Sequence, residues 1–451
     1  MLVTANNLGG QRGAHMDWSK IPDVLAIASL ACAFFSISRR NRTAQHHLWL
    51  IGWIMIAVHF LAFMFANLPG DAGLLGTMAG LISLIAAGVF FMWATVPSES
   101  GVSSRRMAVV ALLSMSLYMG LACLPSVPGW VYDACALFVA LGPLAVGLRY
   151  IRYEQHALRW LTVGLQFALG AELLVLRRQS GGSIDLCIDA ILFVVYLGCC
   201  LYFWYTHQKG TTGAIITIGG FFAWSLVFII APAMGNFLPS FKVESEVWNL
   251  PKYVVAVGML LLLLEKQIQR SQYLALHDDL TALANRRLFQ DRLVNAMERA
   301  KRSGTTFALM QIDLDRFKEV NDTCGHHVGD LLLQQVGAML TRRVRRSDTV
   351  ARTGGDEFSI ILEEPSRRED AELVAESLVR ILAEPLMLSG RSVKIGASIG
   401  IAVYPDDAEN ADALCVEADL KMYRVKQDRR DVAPVPRGRQ HLDTEAHTLV
   451  S

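Results

Sequence analysis

Apolar residues run almost unbroken through the first 264 positions, and most charged residues lie beyond them. A helix needs ~20 uncharged residues to cross a hydrocarbon core. Such stretches recur at about residues 24–38, 48–66, 74–96, 107–124, 133–148, 160–176, 186–205, 214–231 and 252–264. Some are short or contain glycine and proline, so the pattern predicts eight or nine spans. The first has no clear small-residue cleavage site and further spans come directly after it, so it reads as a span and not as a cleaved leader. Past residue 264, "LEKQIQRSQYLALHDDL" keeps a helical repeat through Leu264, Ile268, Leu274 and Leu276, which predicts a helical connector able to pair in a dimer. Strand patterns then take over: "FALMQIDLD" (307–315), the hairpin "TVARTGGDEFSIILEE" (349–364) and "VKIGASIGIAVYP" (393–405). Helical patterns separate them, notably "GDLLLQQVGAMLTRRVRR" and "EDAELVAESLVRILAEPL".

The predicted organisation is therefore an N-terminal tail (1–20), a multispanning α-helical membrane domain (21–264), the connector (265–277), a soluble domain (278–433) and a disordered C-terminal tail (434–451). The soluble domain reads as α+β, sandwich-like, with a central mixed or antiparallel sheet flanked by helices. Composition agrees: 53% of the 451 residues are hydrophobic and 18% charged, and mean hydropathy is positive. A formal net charge of +1 excludes a nucleic-acid binder that works through a broad basic surface. Six of the eight cysteines sit in apolar segments without metal-ligand spacing, and the adjacent Cys199 and Cys200 read as packing residues.

Basic residues orient the spans. "RRNR" (39–42), Arg105 with Arg106, and the loop carrying Arg149, Arg152 and Arg159 fall on one side, whereas "NLPGDAG" and "PSVPGW" carry no basic residue. Arg177 and Arg178 break that pattern. Nine spans put the N-terminus outside and the soluble domain in the cytoplasm; eight require a cytoplasmic N-terminus. Intramembrane polar residues are costly, so His59, Glu172, Asp185 and Asp189 are candidates for a sensory or proton site, or for hydrogen bonds between helices. Trp49, Trp53, Trp93, Trp130 and Trp248 lie near span ends and read as interface anchors. No haem motif, recognised ligand pocket or named sensory module stands out in the first 264 residues.

The chemistry concentrates at the hairpin. If Asp313, near the end of its strand, meets Asp356 and Glu357, the three supply hard oxygen ligands suited to Mg²⁺. Gly354 and Gly355 let backbone approach a phosphate. Two metals bridged by a carboxylate can activate a hydroxyl and stabilise a leaving pyrophosphate, a nucleotidyl-transfer arrangement. A solvated acidic turn is the competing reading, but it leaves the second acidic pair, ending a buried strand, unexplained.

Three segments, "DDLTALANRR", "LDRFKEVNDTCGHHVGDLLL" and "RTGGDEF", resemble the signature regions of the GGDEF family, the bacterial diguanylate cyclases, over about residues 278–431. The resemblance implies that Asp313 and Asp356 ligate Mg²⁺ with the Leu314 carbonyl, that Glu357 joins them, and that Asp356 or Glu357 helps deprotonate a ribose 3′-hydroxyl. It implies two Mg²⁺ per GTP site, with Mn²⁺ as the alternative. Asn321 and Asp330 would read the guanine edge, since a carboxylate accepts from the guanine N1–H and amino group and adenine cannot supply that pair. Phe317 and Lys318 would bring backbone amides to the phosphates. Lys426 and Arg430, four apart on one helix face, match the family's phosphate-binding pair. His326 either touches substrate or shapes its loop. Arg345 and Asp348 resemble the family's inhibitory product site, where cyclic di-GMP binds away from the catalytic centre.

Two departures stand beside the match. Ala282 and Ala284 replace the usual glycine and proline, which implies an altered turn. Arg429 and Asp431 replace the favoured glycine and asparagine, and Asp431 adds negative charge near the phosphate clamp. The expected protein is a multi-pass enzyme of a bacterial inner membrane, in contact with lipid. It would condense two GTP into cyclic di-GMP and two pyrophosphates as a homodimer, regulated through its membrane domain and inhibited by its product. The alternatives are a catalytically silent cyclic di-GMP receptor and a transporter-like module with a nucleotide-sensing tail.

Overall fold

The computed structural model describes residues 16–432 except 40–43, 97–100, 125, 150–156, 180–183, 209, 239–242, 244 and 364–367. The predicted tail 434–451 and most of the N-terminal tail lie outside the described residues. The chain divides into two compact units, Met1–Gln267 and Ile268–Ser451.

The first unit is helical: α1 (Ile21–Arg39), α2 (Ala44–Phe63), α3 (Asp71–Thr95), α4 (Gly101–Ala122), α5 (Gly129–Arg149), α6 (Ala157–Gln179), α7 (Ile184–Thr206), α8 (Thr212–Phe237) and α9 (Ser245–Leu276). Among the described residues, nine helices are long and apolar enough to cross a membrane. The last predicted span does not stop near residue 264. It continues without a break as the connector, because no glycine or proline interrupts the helical repeat between Leu264 and Leu276. Pro143, Pro232 and Pro251 lie inside helices α5, α8 and α9.

Aromatic packing fills the bundle. Tyr196 stacks on Trp224 with ring centroids 3.9 Å apart, and Phe91 and Phe203 each meet Phe221. Trp49 and Trp53, expected as interface anchors, belong instead to this core: Trp49 stacks on Phe203 and Trp53 on Phe34. Trp130 is exposed. Of the predicted intramembrane polar residues, His59 is buried and its Nδ1 lies 2.9 Å from the Gly80 carbonyl oxygen. Asp189 is buried on α7 and Asp185 half-buried one turn earlier. Glu172 is exposed, because α6 turns Gln166, Leu169 and Leu173 inward and leaves position 172 outside that stripe. A polar cluster outside those expectations links the first and last helices: Asn249 Nδ2 and the Tyr253 hydroxyl both donate to Asp23, at 3.0 and 2.7 Å. Lys252 donates to Asn249 at 2.7 Å and stands over the Phe60 ring. Arg177, which broke the charge pattern, pairs with Asp133 at 3.2 Å.

The second unit is α+β. Its elements are β1 (Ala284–Asn285), α10 (Arg286–Ser303), β2 (Phe307–Asp315), α11 (Phe317–Cys324), α12 (His326–Arg343), β3 (Thr349–Arg352), β4 (Glu357–Glu363), α13 (Arg368–Leu382), β5 (Leu386–Leu388), β6 (Arg391–Val393), β7 (Gly396–Tyr404) and α14 (Ala411–Val432). The five-stranded sheet has the order β1-β3-β4-β2-β7, with β1 parallel to β3 and the remaining pairs antiparallel. Val393 does not belong to the long strand predicted from 393. It pairs with Leu386 in a separate two-stranded sheet, and β7 starts at Gly396.

Side-chain alternation explains the layers. From β2, Ala308, Met310, Ile312 and Leu314 enter one core with α12 and α13, whereas Phe307 and Leu309 enter the other with α10 and α14. Both faces are covered, so β2 reads as a continuous apolar run. Helix α14 lies directly on β7 because Gly400 has no side chain: a Cβ there would strike the backbone of Ala418 and Met422. That close approach aims the end of α14 at the polar end of β2.

Candidate active site

Positions 311, 313 and 315 share a face of β2, and the apolar run ends there in Asp313 and Asp315. In the antiparallel ladder Asp313 is the direct partner of Glu357, the first residue of β4. Directly opposed residues stand about 5 Å apart at Cβ, so the register itself brings these two acids together. The Leu314 amide donates to the Asp356 carbonyl at 3.3 Å, which places Asp356 beside the same strand end. Asp313 is buried, Asp356 half-buried and Glu357 exposed.

The hairpin loop spans residues 353–356 with Gly354 and Gly355 at its centre, wider than a turn made by the glycine pair alone. The Thr353 amide donates to the Glu357 carbonyl at 3.0 Å. Arg352, to which the sequence pattern assigned no role, holds the loop: its Nε and Nη2 donate to the Gly355 carbonyl at 3.1 and 2.8 Å. Its Nη1 reaches both carboxylate oxygens of Asp278, at 3.0 and 3.2 Å. Burial alone would raise the Asp278 carboxyl, but hydrogen bonds from Thr281 and the Arg352 charge outweigh it and hold the group below the usual carboxylate range. The "DDLT" segment thereby fastens the loop; its signal was an arginine two residues before the glycine pair.

Lys426 of α14 donates to Asp313 at 2.6 Å, so a predicted phosphate-clamp residue touches a predicted metal ligand. Arg429, one of the departures, donates to Asp315 at 3.2 Å and to the Ala397 carbonyl at 2.6 Å. The arginine therefore anchors α14 across the end of the sheet. Arg430 lies on α14, and its side chain is outside the described residues, as is that of Asp431. Sequence reasoning also missed Asp407, which accepts from Val403 N, Arg368 and Lys421 at 2.7, 2.8 and 2.9 Å. Burial opposes its ionisation, yet the Lys421, Val403 and Arg368 hydrogen bonds hold its carboxyl down at about 2.

After β2, Arg316 adopts a left-handed backbone (φ 60°) and α11 starts at Phe317. The Phe317 and Lys318 amides are thus first-turn N–H groups, which a helix leaves without intrahelical partners. Asn321, half-buried on α11, lies over Gly329 of α12 so closely that a Cβ there would meet its Oδ1. Asp330 and His326 are exposed on α12. On the far side of β3, the Asp348 carboxylate accepts from the Arg345 and Glu363 amides at 2.7 and 3.0 Å, while Arg345 is exposed. Asp348 therefore closes the turn before β3 in addition to any part in binding.

Among the described residues, no group of three or more His, Cys, Asp or Glu side chains forms a metal cage. Mg²⁺ is usually held by one or two carboxylates plus substrate phosphates. The donors at this edge, carboxylates and the Leu314 carbonyl, are hard oxygens of the kind it takes.

Residues 275–432 match the family model for the diguanylate cyclase GGDEF domain. MucR of Pseudomonas aeruginosa, a bifunctional diguanylate cyclase/cyclic di-GMP phosphodiesterase, is 34% identical over 292 residues, covering 60% of this chain and 41% of its own length. The diguanylate cyclase TpbB of the same species is 40% identical over 155 residues, covering 34% of this chain and 36% of its own. The chain thus spans less than half the length of these relatives. Among solved structures, the TpbB GGDEF domain is 40% identical, with coverage of 34% of this chain and 89% of that one and a TM-score of 0.33. The coiled coil and GGDEF domain of DgcB from Caulobacter crescentus, in complex with c-di-GMP, is 26% identical, with coverage of 40% and 95% and a TM-score of 0.38. Through residues 275–432 the chain belongs to the GGDEF family of diguanylate cyclase domains.

Proposed function

We propose that this chain is a membrane-bound diguanylate cyclase that condenses two GTP into cyclic di-GMP and two pyrophosphates. The register that sets Asp313 opposite Glu357, beside the glycine loop, carries the reading. In a homodimer each subunit holds one GTP, and each ribose 3′-hydroxyl attacks the α-phosphorus of the other. One P–O bond forms, the bond to pyrophosphate breaks, and the hydroxyl proton passes to the Glu357 or Asp356 carboxylate. Repeating the step closes the ring. Asp330 and Asn321 hold the guanine edge, and the Phe317 and Lys318 amides receive phosphate oxygens at the start of α11. Lys426 exchanges its contact with Asp313 for triphosphate, assisted by Arg430, while Gly354 and Gly355 keep the loop free of side chains. Asp313, Asp356, Glu357 and the Leu314 carbonyl would hold two Mg²⁺ (or Mn²⁺), which neutralise phosphate charge when bound. Product inhibition is assigned to Arg345 and Asp348, with the exposed Arg345 guanidinium as the main anion contact. The nine long apolar helices among the described residues, with the basic loops, support placement in a bacterial inner membrane with the cyclase domain in the cytoplasm.

The test incubates purified full-length protein with GTP and Mg²⁺ and measures cyclic di-GMP and pyrophosphate. Product should form and fall by roughly 10²-fold or more in an Asp356→Ala, Glu357→Ala variant. No product from dimeric full-length protein that still binds cyclic di-GMP would overturn the cyclase reading in favour of a receptor.

A further inference from the structure

One rung below the Asp313–Glu357 pair, the same ladder sets Gln311 of β2 directly opposite Ser359 of β4. Side chains two apart along a strand share a face, so this rung lies beneath the acids on their own side of the sheet. On its other flank Gln311 is paired with Gly400 of β7, which has no side chain to offer it. Ser359 is fully buried, and Gln311 and Thr353 are half-buried. The Ser359 hydroxyl donates to Gln311 Oε1 and lies 2.9 Å from the Thr353 hydroxyl.

Proton counting fixes the direction of these bonds. A hydroxyl has one proton to give. Ser359 gives its own to Gln311, so the Thr353 hydroxyl donates to Ser359. Thr353 is the first residue of the loop that carries Gly354 and Gly355. A threonine beside a phosphate loop can donate to phosphate, but this one has its proton committed to the strand below, and it tethers the loop. Its amide is engaged as well, donating to the Glu357 carbonyl at 3.0 Å. A buried hydroxyl left without its partner is costly, which keeps the relay closed. Arg352, one residue earlier, holds the Gly355 carbonyl, so the loop is fastened at two points.

We propose that Thr353, acting through Ser359 and Gln311, is a positioning residue for the cyclase reaction: the relay fixes where the chain leaves the sheet and keeps Asp356 and Glu357 in line with Asp313. This role rests on the cyclase reading and requires no contact between the three side chains and GTP.

The experiment compares full-length wild type, Thr353→Val and Thr353→Ser in detergent. It reads cyclic di-GMP formation from GTP and Mg²⁺, and hydrogen–deuterium exchange of the peptide spanning residues 353–358. Valine keeps the shape of threonine and removes the proton, whereas serine keeps the proton. Thr353→Val should lower kcat at least roughly tenfold with KM for GTP within about twofold, because small displacements of reacting groups cost rate more than binding. Its loop amides should exchange at least roughly tenfold faster. Thr353→Ser should match wild type in both. In a Ser359→Ala background Thr353→Val should change neither quantity further, since residues of one network are not additive. Unchanged exchange or unchanged kcat in Thr353→Val, or equal impairment by Thr353→Ser, would overturn the assignment. Thermal melts confirm that each variant folds; if Ser359→Ala does not, the two Thr353 variants decide. A wild type that makes no cyclic di-GMP would sink the cyclase reading and this role with it. An active wild type with an equally active Thr353→Val would sink this role alone.

Discussion

Ala282 occupies a left-handed backbone conformation, φ 58°, in the turn that carries Asp278 towards Arg352. A side chain there costs of order 1 kcal/mol relative to glycine, although glycine also gains freedom in the unfolded chain. Ala282→Gly should therefore raise the unfolding free energy of the C-terminal unit by about 0.5–1 kcal/mol, visible as a higher denaturant midpoint. Asp407 yields a pH prediction. Its folded carboxyl sits near 2, below the ordinary value of 3.8. A depressed value means stability present above the unfolded value and lost as pH falls towards 2, in all about 2 kcal/mol. The melting-temperature gap between wild type and Asp407→Asn should be full at pH 6 and shrink by pH 2.5. A gap constant over that range would exclude the assigned ion pairs as the cause.

At the scale of elements, α9 matters most, because one helix of 32 residues joins a segment apolar enough to cross a membrane to the predicted connector. A continuous helix transmits rotation, and each inserted residue turns the downstream chain by ~100°. Two residues inserted after Gln267 should rotate the cyclase domain by ~200° and change activity, whereas seven return it to within ~20° of its original phase. Cyclic di-GMP formation by the two variants in membranes measures this; equal activity would show that helix phase carries no control. The same helix meets its neighbours through polar contacts. Glu265 accepts from the Gly213 amide at 3.0 Å at the start of α8, where a carboxylate also complements the helix dipole. Near the other end, Asn249, Lys252 and Tyr253 join α9 to Asp23 of α1, so the first and last helices share buried polar bonds.

For the whole molecule, the proposed chemistry requires two copies, since one domain presents one loop of carboxylates and one guanine-binding edge. Specific activity should rise with protein concentration until dimers saturate. Arg345→Ala should leave the initial rate intact and relieve inhibition by added cyclic di-GMP, weakening it by at least roughly tenfold. An inhibition constant equal to that of wild type would remove Arg345 from the product site.

Local pattern placed the long helices and the long strand β2, but not the start of β7 or the separate pair β5 and β6. Unbroken apolar runs demand helices in a membrane, because only internal hydrogen bonding satisfies the backbone there, and "FALMQIDLD" must be a strand covered on both faces. The motif itself was legible in sequence as two acidic pairs and a glycine pair, since it depends on residue type and near neighbours, and the strand register brings Asp313 opposite Glu357. Trp49 and Trp53 were misread because span ends and buried faces overlap in sequence; only helix rotation distinguishes them. Tertiary structure alone decided the contacts that hold the site. Lys426 reaches Asp313 across 113 positions, Arg429 reaches Asp315 across 114, and Arg352 reaches Asp278 across 74. Such pairs arise from strand register and from the angle at which α14 settles over Gly400, which no local repeat specifies.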